Sequence, residues 1–476
     1  MDPGLKILSS AQNKKCDVIT SAQEGMNNHD LMDRATTRIF QYLQHQLSGN
    51  IPVTFLCGPG NNGADGLCLA LMAAAKGYAV ETKICLLGKT PSAELDFRME
   101  LYASQRQLNM QVIQKVDELT LQENSVIIDA LFGTGLSKPL QDEWELLIHA
   151  INMKNRHIIS IDMPSGLTDE DNKANSPFIL AQKVITIQTA KPPLLYAENQ
   201  VDFDIVDCGI YTDSLETNRF FLDSKSPMVA LQMQKLLPQR PRHSHKGTYG
   251  HTLLIGGNHG MHGAIAMAAK YCYEAGSGLT TALTTENSIP YFSGIPEIML
   301  HAQELNAEAF LRLPLNKFQS LAIGPGLGVT AETVDLLKTV LTKHNSPMIL
   351  DADALNILAQ NKDLMKLIPA GSLLTPHPGE FERLFGYTSN GSEKENTALK
   401  ISSELGLFIL AKNTYSFLSC PDGKVFYNGT GSSRLARGGS GDKLTGMIAG
   451  LYAQNQRMRD AALAGMYYLG IGKPII

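Results

Sequence analysis

The chain has 476 residues, enough for two or three domains, and with 43% hydrophobic and 18% charged residues it can bury a core in each. A net charge of -5 argues against a general nucleic-acid binder and gives no reason for membrane attraction, and neither an apolar stretch long enough to span a bilayer nor a leader-like start is visible. Seven scattered cysteines without a CxxC pair read as thiols of a reducing cytoplasm.

Residues 17 to 47 read as a helix, with Leu31, Ala35, Ile39, Leu43 and Leu47 recurring every four residues. Val53 to Cys57 is a short apolar run of the buried parallel kind. It enters Gly58-Pro59-Gly60-Asn61-Asn62-Gly63-Ala64-Asp65-Gly66, and a Leu- and Ala-rich helix follows from Leu67 to Lys76. Strand, glycine turn and helix in this order bind phosphates in doubly wound sheets. The Asn and Asp side chains could ligate a cation or hydrogen-bond a ribose. Strands are predicted at Val80 to Leu87, Ser125 to Leu131, His157 to Asp162, Lys183 to Ile187 and Asp204 to Val206, and a helix at Ala93 to Leu108. Lys191-Pro192-Pro193 reads as a break. Asp129 and Asp162 end two of the strands, and a buried carboxylate there needs a partner. In one sheet, Asn62, Asp65, Asp129, Asp162 and Ser165 would meet at one crevice.

These residues resemble the epimerase domain of NAD(P)H-hydrate repair enzymes, through Leu31–Ala35, Gly58–Gly66, Asp129–Pro139 and Asp162–Leu167. The resemblance covers about 10 to 215 and implies a Rossmann-like αβα sandwich. It implies a potassium ion on Asn62, Asp129 and Ser165, and substrate contacts from Asn61, Asn62, Gly63, Ala64 and Asp65, from Gly133, Thr134, Gly135, Leu136, Ser137, Lys138 and Pro139, and from Asp162. An all-oxygen set suits a hard cation better than zinc. Asp129 is the expected proton carrier. The chain departs from the family at Ala64 and Thr36, where glycine is usual.

Residues 212 to 240 read as a connector, with a domain boundary between 224 and 225. Five histidines follow (His243, His245, His251, His259, His262) at spacings that fit no zinc pattern. In the second half, His251 to Ile255 is a strand entering Gly256-Gly257, followed by a small-residue helix from Gly263 to Ala275. Leu321 to Ile323 enters Gly324–Gly328, with a helix over 331 to 343. Met348 to Leu350 enters Asp351-Ala352-Asp353, Leu373-Leu374 enters Thr375–Glu380, and Phe408 to Ala411 ends at Lys412. The stretch 436–446, Ala-Arg-Gly-Gly-Ser-Gly-Asp-Lys-Leu-Thr-Gly, opens an apolar helical pattern. Its N-terminal N–H groups suit a phosphate. A carboxylate beside them, Asp442, suits the base for a hydroxyl attacking a phosphoryl group.

These signatures resemble the ribokinase-like NAD(P)H-hydrate dehydratase domain over about 230 to 470, with Thr375–Glu380 the most specific. The whole chain is therefore expected to be α/β, with domains 1–224 and 225–476, each an αβα sandwich. The resemblance implies Asp442 as catalytic carboxylate, hydrate contacts from Ala264, Gly326, His377 and Asp442, and nucleotide contacts from Lys412, Asn413, Thr414, Tyr415, Ser416 and Gly441. ADP or ATP would be co-substrate, with Mg2+. Lys412-Asn413-Thr414-Tyr415 and Lys443 depart from the family pattern, and the stretch 468–474 lacks its His-Gly and final helix. The implied activity is repair of hydrated NADH and NADPH in the cytoplasm by a homo-oligomer that binds small molecules, with neither nucleic acid nor membrane as partner. A small-molecule kinase, marked by a stable phosphorylated product, and a binding scaffold, marked by indifference to Asp442→Asn, are the alternatives.

Overall fold

A computed structural model describes residues 2–49, 51–103, 109–136, 138–153, 157–168, 176–473 and 475. The chain divides into two units, Lys6–Thr217 with Asn390–Ser392, and Met1–Leu5 with Asn218–Ser389 and Glu393–Ile476.

The first unit carries a parallel sheet of seven strands. Its order is Asn109–Ile113, Val80–Cys85, Val53–Cys57, Val126–Ala130, Ile158–Ile161, Lys183–Ile187, Phe203–Val206. Val53–Cys57 and Val126–Ala130 are buried throughout, and successive side chains enter opposite layers. Phe55 and Ile128 pack with Leu67 and Ile39 on one face, Leu56 and Ile127 with Trp144 and Ile148 on the other. The expected single helix at 17–47 is two, Ser10–Glu24 and Asn28–Leu43. Gly25 in a left-handed conformation ends the first, and the Asn27 side chain caps the second. The helix expected at 93–108 is seen as Ala93–Ala103, and 104–108 lie outside the described residues.

The second unit holds an eleven-stranded sheet. Phe408–Ala411, Leu373–Leu374, Ile349–Leu350, Ser320–Ile323, His251–Ile255, Leu279–Thr284 and Met299–Ala302 run parallel in that spatial order. Phe417–Ser419 and Val425–Asn428 extend it antiparallel beyond Phe408–Ala411, and Arg219–Leu222 then pairs parallel with Val425–Asn428. Leu254, Ala322 and Ile349 pack against the helices His262–Glu274 and Ser440–Tyr452, while Leu253, Leu321 and Leu350 pack against Ala331–Lys343 and Asp353–Gln360. The connector expected at 212–240 thus contains a sheet strand and a helix, Pro227–Leu236. The units part before Asn218 rather than at 225, because Arg219–Leu222 belongs to the second sheet. A last helix, Met458–Ile471, is present and its Ala461, Ala464 and Tyr467 are buried in this core.

Candidate active sites

In the first unit the chain runs outward in both directions from the neighbouring strands Val53–Cys57 and Val126–Ala130. Such a switch point leaves a crevice at the C-terminal ends of the strands. The run after Cys57 is not a loop for long, since the helix begins at Asn61 with Gly60 extended before it. Asn61, Asn62 and Asp65 share one helical face and remain accessible. Gly63 and Ala64 turn inward: a side chain at 63 would strike the Gly58 carbonyl, and Ala64 is fully buried in the core.

Asp129 sits at this rim but is no free acid. The Leu131 N–H and the Ser165 hydroxyl donate to its Oδ1 at 3.2 and 2.5 Å, and the Ser160 hydroxyl and Ser165 N–H donate to its Oδ2 at 2.7 and 2.9 Å. Burial raises its pKa and these donors pull it back. The carboxylate expected to carry the proton is wholly buried and engaged by four protein donors. The Ser165 hydroxyl also accepts from the Phe132 N–H at 2.8 Å.

Asp162 follows its strand in a left-handed conformation, φ 67°. Its Oδ1 accepts from the Lys191 ammonium at 2.6 Å and its Oδ2 from the Thr134 N–H at 3.2 Å. Lys191 is itself 1% exposed and also donates to Thr186 Oγ1 and the Ile187 carbonyl. The sequence shows Lys191 only as part of a break; a lysine leading into two prolines just past a strand was the available signal. A Cβ at Gly133 would lie 2.9 Å from Asp162 Oδ2 and 3.1 Å from Asn62 Oδ1, so glycine there lets these two groups approach the loop. Asn62, Gly133, Thr134 and Asp162 are thus brought together. Gly135 and Lys138 are exposed, Leu136 and Pro139 half-buried, and Ser137 lies outside the described residues.

Beside this crevice is a cavity of about 660 Å³, with Asn61, Asp65 and Ile187 in its wall together with Asp17, Leu31 and Met32. Sequence reasoning missed Asp17. It lies on the helix Ser10–Glu24, whose mixed pattern gives no hint of a site. Its carboxyl is pushed up to about 6 by burial and by the Asp162 charge, with Lys191 opposing. Asp65 is pushed well above the carboxylate range by burial, then by Asp162 and Asp17.

In the second unit the switch point lies between His251–Ile255 and Ser320–Ile323. The two glycine turns after these strands are laced together, Gly257 N–H to the Pro325 carbonyl at 3.0 Å and Asn258 N–H to the Gly326 carbonyl at 2.6 Å. Ala264 abuts Gly326, its Cβ 3.2 Å from where a Cβ at 326 would stand. Asp351, 1% exposed, accepts from Lys412 Nζ at 2.8 Å and from the Thr445 hydroxyl at 2.6 Å. Its pKa is lowered, as Lys412 and the hydroxyls outweigh the burial that is the largest opposing cause.

The helix Ser440–Tyr452 starts from Gly439 at φ 86°, a conformation that favours glycine. Its first internal hydrogen bond comes from Lys443 N–H to the Gly439 carbonyl. The N–H groups of the first turn therefore find no helical acceptor, and the buried Ser440 hydroxyl has no partner among the described residues. Gly441 stands beside Lys412 and Asp351: a Cβ there would lie 3.3 Å from the Lys412 ammonium. Asp442 is pushed up to about 6 by burial, then by the Asp351 charge, with Lys412 opposing and Asp353 adding. His377 caps the helix Pro378–Phe385 through Nδ1, which accepts from the Gly379 and Glu380 N–H groups at 3.1 and 3.3 Å. The ring proton is thus on Nε2. Burial and the nearby Lys412 lower its pKa, so at neutral pH it is a neutral donor.

The turn after Lys412 spends its polar groups on itself: Asn413 N–H donates to Ser416 Oγ and Thr414 N–H to Asn413 Oδ1. Tyr415 packs edge-on against Phe221. Lys443 places its ammonium 5.1 Å from the Tyr271 ring centre. Of the five clustered histidines, His262 is buried on Ser288 Oγ and His251 bonds Thr281 Oγ1. Among the described residues no group of three or more His, Cys, Asp and Glu could hold a metal.

Two family models match the chain, YjeF-related protein N-terminus over residues 28–193 and NAD(P)H-hydrate dehydratase over 252–471. The bifunctional NAD(P)H-hydrate repair enzyme Nnr of Moorella thermoacetica is 31% identical, over 98% of this chain and 91% of its own. The enzymes of that name from Coxiella burnetii and Escherichia coli are each 32% identical, over 94% and 95% of this chain and 90% and 86% of theirs. A solved structure of ADP/ATP-dependent NAD(P)H-hydrate dehydratase from Bacillus subtilis, co-crystallized with ATP/Mg2+, is 32% identical over 51% of this chain and 86% of its own, at a TM-score of 0.44.

Proposed function

From the premise that the chain belongs to the family of bifunctional NAD(P)H-hydrate repair enzymes, we propose how its two rims divide the work. The first unit interconverts the two C6 epimers of hydrated NADH or NADPH. The second dehydrates the S epimer at the expense of ADP or ATP. The observation that carries the dehydratase half is Asp442. It is a half-buried carboxylate with a raised pKa, set at a helix start that offers unpaired N–H groups and an orphaned Ser440 hydroxyl.

Asp442 takes the proton of the C6 hydroxyl as its oxygen bonds to the terminal phosphorus of the nucleotide and the terminal phosphoanhydride bond breaks. Lys412 and the N–H groups around Gly441 hold the negative charge on the moving phosphoryl oxygens. The ring nitrogen lone pair then expels phosphate, and loss of a C5 proton restores the double bond. Neutral His377 donates from Nε2, and Ala264 and Gly326 form the close wall for the ring. Mg2+ enters with the nucleotide. Asn413, Thr414, Tyr415 and Ser416 shape the turn that carries Lys412 to the rim.

In the first unit, Asn61, Asn62, Gly133, Thr134 and Asp162 bind the hydrate. The Asp129 carboxylate, Ser165 hydroxyl and Asn62 amide oxygen are one charged and two neutral oxygens, a set that fits potassium rather than a transition metal. Bound there, the ion would fix the Ser165 and Gly133 loops. The seven cysteines are free and buried, which supports a cytoplasmic, reducing setting. Assembly as a homo-oligomer is part of this reading, with sedimentation equilibrium as its check.

The test mixes the full chain with both epimers of NADH hydrate, Mg2+ and each nucleotide in turn, and follows NADH absorbance. Both epimers should return to NADH. Conversion that stops when the S epimer is spent would remove the epimerase half, and accumulation of a phosphorylated product without NADH would replace the dehydratase half with a kinase.

A further inference from the structure

Five carboxylates gather at the first rim and the cavity beside it, and they are not equivalent. Asp129 accepts from four donors, and Asp162 is tied to Lys191 and the Thr134 N–H. Glu94, in the wall of the adjoining cavity, is bound by His29 at 2.6 Å and Arg98 at 2.8 Å. The carboxylates of Asp17 and Asp65 accept no hydrogen bond among the described residues, and both line the 660 Å³ cavity. The two stand on different helices, Ser10–Glu24 and Asn61–Ala75, with apolar Leu31, Met32 and Ile187 in the walls around them. The Ile187 wall joins the cavity to the crevice, since Ile187 N–H donates to Asp162 and its carbonyl accepts from Lys191.

Resting on the epimerase reading of this rim, we propose that the cavity takes the hydrated nicotinamide ring and that Asp17 is the acid and base of epimerisation. The neutral Asp17 carboxyl gives its proton to the C6 hydroxyl. The C6–O bond breaks, water departs, and the ring nitrogen lone pair forms the N1–C6 double bond. Water then adds to the opposite face of C6 and returns a proton to Asp17, so nothing is consumed and only the configuration changes. A group for this exchange must gain and lose its proton near neutrality. Asp17, at about 6, does so, whereas burial raises Asp65 well above the usual carboxylate range. The charges that face Asp17 are Asp162 and Lys191 from the rim and Lys14, Asp65, His29 and Glu94 in the cavity wall. Lys191 restrains the rise that Asp162 and burial impose.

The experiment uses the full chain, with its dehydratase as internal control. Asp17→Asn should slow conversion of the R epimer at least about 100-fold, the scale of a lost general acid, while dehydration of the S epimer stays at the wild-type rate. In the wild type, epimerisation should weaken as pH rises above about 6, and Asp17→Glu should retain the activity with that limb displaced. Wild-type epimerisation by Asp17→Asn overturns the proposal. So does a pH limb unchanged in Asp17→Glu, which remains decisive where the Asn variant folds poorly. A wild-type chain that leaves the R epimer untouched sinks the epimerase reading itself, a result distinct from either.

Discussion

Asp442 and Lys191 show how one charge decides what a rim can do. In the proposed mechanism Asp442 must be ionised to act as base, so dehydration should fall about tenfold per pH unit below its pKa, beginning near pH 6. Single-turnover rates across pH 5 to 8 check this, and Asp442→Asn should remove the activity. The sign for stability is opposite. The raised pKa means that the folded chain holds this proton more tightly than the unfolded chain, so the contribution is present at low pH and lost as pH rises through about 6. Lys191 is the buried partner of Asp162. Lys191→Met leaves that carboxylate without its cation, which costs about 3 to 5 kcal/mol. Urea unfolding of the first unit should shift accordingly, with epimerisation lost.

At the scale of elements, the short strand Arg219–Leu222 has more influence than its length suggests. Arg219 Nε holds Glu395 Oε1 at 2.6 Å, and the Tyr427 hydroxyl holds Oε2 at 2.6 Å, so the strand, its neighbour and the helix Gly391–Leu405 are joined at a fully buried carboxylate. Arg219→Met should destabilise the second unit by about 3 kcal/mol, since it strands part of a buried charge; the denaturation midpoint of that unit is the measure. The helix Asn61–Ala75 makes a related point. Its start at Asn61 rather than Leu67 decides that Asn61, Asn62 and Asp65 face the crevice while Gly63 and Ala64 face the core. Six residues on, the same sequence would have presented all five to solvent as a loop.

At the scale of the whole molecule, each unit has its own sheet and its own two buried layers. The activities should therefore separate cleanly. Asp442→Asn should leave R-to-S interconversion at its wild-type rate, and Lys191→Met, wherever it remains folded, should leave dehydration of pure S epimer unchanged. Chromatography of the two epimers over time reads both. Loss of epimerisation in Asp442→Asn would show that the second rim takes part in the first reaction.

The sequence by itself determined the α/β class, the two sheets and the carboxylates at the strand ends. Buried parallel strands must be continuous apolar runs, and glycine turns must follow where a ligand or a helix start comes close. The edge strands Asn109–Ile113 and Met299–Ala302 escaped it because they are half exposed and carry no such run. Only the tertiary structure decided which acids are free. Asp129 and Asp162 look alike along the chain as Asp17 and Asp65 do not. Yet hydrogen bonds from Ser160, Ser165 and Lys191 occupy the first pair, while the second pair faces a cavity. A pKa, and with it a catalytic role, depends on what the fold packs around a side chain, and those neighbours are as much as 174 residues away, as Lys191 is from Asp17.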